Sequence, residues 1–261
     1  QLDKETFKKL FYVNSGSVTS FKQKFNRDKK ILFDTVKKRF QEETKLNGTE
    51  IAKEWFPQNK WDVFISHSHN DEDLAIELSS WLNRKFKLDV FIDSFVWGSA
   101  DELLRIIDKE YCVIRESKDL MTYDYNKRNF STSHVHMMLS GALCDVIYNT
   151  ECIIFLNTPN SLSINDLESK KTNSSWIYNE MKISSIVARR YPREDIVKKR
   201  VLEHSDESHQ SNERKLQIEY DVTSYVNKFK DLTYSDLLEW EKAYNSETHP
   251  LDNLYFKIKD R

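Results

Sequence analysis

The sequence predicts an α/β fold organised on a central parallel sheet, and three observations carry that prediction. Three short runs rich in β-branched and aromatic residues, WDVFISH at 61–67, LDVFID at 88–93 and CIIFLN at 152–157, read as buried strands. Amphipathic stretches of helical period separate them. The runs are almost continuously apolar, as strands covered on both faces by helices are.

The bulk numbers fit one such domain with extensions. The chain has 261 residues, 39% of them hydrophobic and 13% aromatic, enough for a substantial core. Charged residues make up 31%, but the signs are intermixed and the net charge is −2, so nothing points to nucleic acid or an anionic membrane. No apolar run is long enough to span a bilayer, and QLDKETFKKL has no signal-peptide core. Cys112, Cys144 and Cys152 are odd in number and widely spaced, which argues against a disulfide framework and for a cytoplasmic setting. Gly16, Gly48, Gly98 and Gly141 lie too far apart to build a phosphate-cradling loop, which excludes a Walker loop and a dinucleotide-binding glycine fingerprint.

Residues 1–60 predict a helical N-terminal extension, with Phe21, Phe25, Leu32, Val36 and Phe40 in one apolar stripe and Thr49 capping a short helix before Pro57. After the first strand, Asp71, Glu72 and Asp73 place acid in the first turn of a helix. Leu74, Leu78, Trp81 and Leu82 form its apolar face, and Arg84 and Lys85 close it. Following the second strand, 99–108 reads as a helix and 109–132 as a polar, aromatic insertion. Thr132 or Ser133 can cap a helix over 134–149. The third strand leads into a loop, LESKKTNSS, and a helix capped within 173–175 that runs to about 187. Residues 191–261 predict an α+β C-terminal extension: a solvated loop at 200–214, an alternating strand at 216–222 and a helix capped by Ser235.

In an open parallel sheet, ligands bind beyond the carboxyl ends of the strands, where strand order reverses. With the first strand central, that crevice lies between strands one and three. Ser66, His67 and Ser68 line one side and Asn157 and Thr158 the other, while the segment from Asp93 to Ala100 can fold over it. The histidine pairs suggest no metal: His134 and His136 would point about 200° apart on a helix.

Three segments together resemble the TIR (Toll/interleukin-1 receptor) family: WDVFISHSHNDEDLAIELSSWL, VFIDSFVWGSADE and SSWIYNEMKIS. The resemblance covers roughly 61–190, interrupted by the insertion at 109–132. It implies a flavodoxin-like TIR domain. The last segment is similar to the Trp-x-x-x-Glu stretch of TIR domains that cleave NAD⁺, which implies Glu180 as the catalytic glutamate, preceded by Trp176. The insertion and C-terminal extension are more like the bacterial TIR proteins of Thoeris-type antiphage defence, which make a signal from NAD⁺ that activates a separate effector. NAD⁺ is then a substrate, with no further cofactor.

The chemistry is consistent with so short an inventory. Breaking the nicotinamide–ribose bond passes through an oxocarbenium-like centre, and the pyridinium departs neutral without a general acid. One carboxylate near the ribose can stabilise that charge. Trp176 and Glu180 share a helix face. Trp97 reads either as a platform for a base or as a self-association contact, Asp93 and Ser68 as pocket lining, and Ser66 and His67 as pocket lining or as loop hydrogen-bonders. The alternative is a non-catalytic TIR module that signals by assembling with other TIR domains.

Overall fold

The computed structural model describes residues 15–42, 47–55, 60–94, 101, 104–116, 121–164, 169–187 and 218–258. Along the chain come α1 (Ser15–Glu42), α2 (Gly48–Trp55), β1 (Val63–Ser66), α3 (Glu72–Phe86) and β2 (Val90–Ile92). A π-helical turn (Asp108–Cys112) leads into a hairpin of β3 (Val113–Glu116) and β4 (Met121–Tyr123), then α4 (Tyr125–Asn149) and β5 (Cys152–Phe155). Next are β6 (Ser163–Ile164), β7 (Lys170–Thr172) and α5 (Ser175–Ile186). The described C-terminal part holds β8 (Tyr220–Asp221), α6 (Thr223–Val226), α7 (Tyr234–Ala243) and α8 (Pro250–Ile258).

The three predicted strands form a parallel sheet in the order β2–β1–β5, with Val63 opposite both Val90 and Cys152. Side-chain alternation along the strands divides the core into two faces. Val63, Ile65 and Ile92 pack with Leu78, Trp81 and Leu82 of α3 and with Leu237, Trp240, Leu251 and Leu254 of α7 and α8. Phe64, Phe91 and Ile153 face the other way, onto Leu139, Leu143 and Ile147 of α4 and Ile51 of α2. The β1–β2 connection runs through α3 on one face and the β2–β5 connection through α4 on the other. Strand order therefore reverses between β1 and β5, where the crevice was expected.

Several predicted boundaries differ from the structure, and hydrogen bonding explains most of them. The helix expected over 134–149 begins at Tyr125, because Asp124 caps it by accepting from Lys127 N at 2.9 Å. Ser133 lies inside that helix and donates back to the Phe130 carbonyl at 2.9 Å, satisfying its hydroxyl without ending the helix. The described residues of the stretch 109–132 are thus a π turn, an antiparallel strand pair and the first turns of α4. At α2, Asn47 rather than Thr49 accepts the free backbone N–H groups. At α7, Thr233 rather than Ser235 is the cap, in a reciprocal box with Asp236. The expected loop LESKKTNSS contains β7, which pairs with β6 and β8 in a small antiparallel sheet. The strand expected at 216–222 is described only at Tyr220–Asp221. Helix α8 was not anticipated; Pro250 starts it, as proline at a first helical position can.

The side chains of Phe21, Phe25, Leu32, Val36 and Phe40, the loop 200–214 and Trp97 lie outside the described residues. Among the described residues no helix is long and apolar enough to cross a membrane.

Candidate active site at the strand ends

Ser66 is the last residue of β1 and continues the phase of Phe64, which faces α4. Its hydroxyl donates to Glu180 Oε2 at 2.5 Å, and both residues are buried, Glu180 to 1% exposure. The Ser66 carbonyl accepts from Leu156 N at 2.9 Å, which zips the end of β1 to β5. The hydroxyl, expected either to line the pocket or to serve as a loop hydrogen-bonder, makes its hydrogen bond to the glutamate.

Glu180 is brought there by α5. Ser174 caps that helix, accepting from Ile177 N at 3.2 Å. Ile177 and Met181 pin its inner face with Leu162, Val222 and Val226. Glu180 lies between these anchors in sequence and is carried inward with them. Asn179 donates to Ser140 Oγ at 2.9 Å and so fixes α5 against α4. Trp176, one turn before Glu180, is half-buried and meets the edge of His136 at 5.5 Å between ring centroids. It is a core side chain at the flank of the site.

His67 and Asp93 form a second buried pair. His67 Nδ1 lies 2.6 Å from Asp93 Oδ1, joining the ends of β1 and β2. Burial pulls the imidazole pKa down, but the Asp93 carboxylate, the Ile65 backbone and Glu72 together outweigh it and hold His67 above its ordinary value. Ser94 beside Asp93 is also buried.

A third strut was missed by the sequence reading. Asp71, expected only as helix-start acid, accepts from Thr158 Oγ1 at 2.5 Å and from Asn160 Nδ2 at 2.8 Å. It ties the loop after β1 to the loop after β5 beyond the strand ends. The only sequence signal was an acid after β1 together with Thr and Asn after β5. Ser68 is half-buried and its carbonyl accepts from Asp71 N at 2.8 Å, while Asn157 is exposed.

The structure thus brings together Ser66, His67, Asp93 and Glu180 at the carboxyl ends of the strands, with Ser68 and Trp176 at the margin. The three cysteines are free thiols, and burial pushes that of Cys152 up to about 12, which leaves it unreactive. Among the described residues, no three His, Cys, Asp or Glu side chains converge as metal ligands would. Compared with protein-family models, curated proteins and solved structures, the chain gives no significant match in any of the three.

Proposed function

We propose that this chain is a TIR-like enzyme that cleaves NAD⁺ at the nicotinamide–ribose bond, with Glu180 as the key carboxylate. The observation that carries the reading is the position of Glu180: a buried carboxylate, held by the Ser66 hydroxyl at 2.5 Å, at the switch point of a parallel sheet. The Trp176-x-x-x-Glu180 spacing and the strand-end segments that resemble TIR domains support it further.

In this reading the C1′–N bond breaks with its electron pair going to nicotinamide, which leaves neutral. Positive charge develops on the ribose. A preorganised carboxylate stabilises that charge without reorganising at the moment of reaction. Water or another hydroxyl or amine acceptor then adds at C1′ and loses its proton. Because Glu180 is enclosed, substrate must open the contact between α5 and the strand ends to reach it. The product is an ADP-ribose derivative, cyclic or conjugated, sensed by a separate effector protein in antiphage defence. The TIR resemblance implies a role in self-association or gating for segment 93–100, of which Asp93 and Ser94 are described.

The test is nicotinamide release from NAD⁺ by purified wild type and Glu180→Gln, with matched thermal melts. Release should fall by about 100-fold or more while the fold is retained. Equal release from both proteins refutes the catalytic role. The enclosure of Glu180 favours one second reading, in which the Ser66–Glu180 contact is structural and the chain is a non-catalytic assembly module. That reading expects no release from wild type and a large loss of stability in Glu180→Gln.

A further inference from the structure

Helix α4 carries two apolar faces, of which the sheet uses one. Val135, Leu139, Ala142, Leu143, Val146 and Ile147 are buried against the core. On the opposite side Phe130, His134, Met137, Gly141, Cys144 and Tyr148 are all exposed. Their spacing alternates between four and three residues throughout, the strict seam of a helix that packs on another helix. Phe130, Met137 and Tyr148 keep 68%, 70% and 54% of their surface exposed.

Gly141 points to what covers this face. A Cβ built there meets nothing within 4 Å, so nothing among the described residues gives a reason for glycine. In mid-helix glycine costs about 1 kcal/mol relative to alanine. A second backbone approaching closely supplies the missing reason. The six positions are also symmetric about the middle of the seam. When two copies of α4 cross antiparallel, Phe130 faces Tyr148, His134 faces Cys144, and Met137 faces Gly141. The longest flexible apolar side chain then enters the space left by the residue that has no side chain. A parallel pair would set glycine against glycine and leave a gap.

We propose that the outer face of α4 is a two-fold, antiparallel self-association seam between two copies of this chain. The interface is isologous, so it closes at a dimer. The seam is ~27 Å long. Covering the surface that Phe130, Met137 and Tyr148 still expose in two copies buries somewhat under ~1,000 Å². That is the low end for specific interfaces, and it makes the dimer concentration-dependent. The inference does not rest on NAD⁺ cleavage.

Sedimentation equilibrium of the full chain, from low to high micromolar concentration, tests it. Wild type should pass from monomer to dimer, and Met137→Lys should weaken the dimer by at least about 10-fold with an unchanged melt, since Met137 is exposed. Register is tested in a Cys144→Ser background. Mild oxidation should link two chains when Met137→Cys and Gly141→Cys are combined, and not with either alone. A strictly monomeric wild type, or association indifferent to Met137→Lys, overturns the proposal. Cross-linking by the single variants overturns the register.

Discussion

Ser66 and His67 are neighbours in the chain, yet their side chains serve different partners. Ser66 reaches the α5 carboxylate and His67 reaches the end of β2. The raised pKa of His67 has a consequence for stability. The proton that the folded state holds more tightly contributes stability that is fully present below about pH 6.5, the unfolded value. It is lost as pH rises through the higher folded value. Urea midpoints of wild type should therefore decline from pH 6 towards alkaline pH more steeply than those of His67→Gln, which has no imidazole to titrate. Parallel profiles for the two proteins would show that the pair adds nothing to folding. At this scale the residues at the strand ends were legible, because they follow from strand phase alone. Their partners were not legible: whether Ser66 faces a ligand or a glutamate 114 positions away depends on where α5 packs. The Asp71 strut was illegible for the same reason, since both its partners lie 87 or more positions on.

Helix starts were read less well than helix bodies, and in a consistent way. A sequence reading assigns the cap to the hydroxyl nearest the apolar run. The structure caps α2, α4 and α7 earlier, at Asn47, Asp124 and Thr233. Only the Ser174 cap of α5 lies within its expected window. Ser and Thr can satisfy themselves inside a helix by bonding the preceding turn, as Ser133 does, so a hydroxyl by itself marks no boundary. The reciprocal box of Thr233 and Asp236 makes a sharp comparison possible. Thr233→Ala should destabilise the protein by about 1 kcal/mol. Ser235→Ala, which removes only an exposed contact to Glu239, should change stability by less than about 0.5 kcal/mol. Paired denaturant melts separate the two, and equal losses would place the helix start at Ser235 after all. The small β6–β7–β8 sheet escaped the sequence because strands of two or three residues carry no periodic signal.

For the molecule as a whole, a described parallel sheet of three strands must be covered on both faces, and the C-terminal helices supply part of that cover. Phe86 of α3 stacks on Trp240 of α7 at 4.2 Å between centroids, Trp81 meets Trp240 edge-on at 5.9 Å, and Trp240 Nε1 donates to the Pro250 carbonyl at 2.8 Å. One indole thus joins α3, α7 and the start of α8 over the same cluster that holds Val63 and Ile65. The C-terminal region was expected as an extension. Its packing makes α7 and α8 part of the core, which predicts coupled unfolding. Trp240→Ala should cost about 3–5 kcal/mol. That is a large fraction of the roughly 5–15 kcal/mol that holds a domain together. Trp240→Phe should cost less, keeping the stack on Phe86 and losing the bond to Pro250. Hydrogen exchange of the β1 amides at Val63 to Ile65 decides whether the coupling is real. If α7 and α8 unfold with the sheet, Trp240→Ala will lower protection in β1 by as much as it lowers global stability. If they are an independent attachment, β1 will keep its wild-type protection while the amides of α7 alone exchange faster.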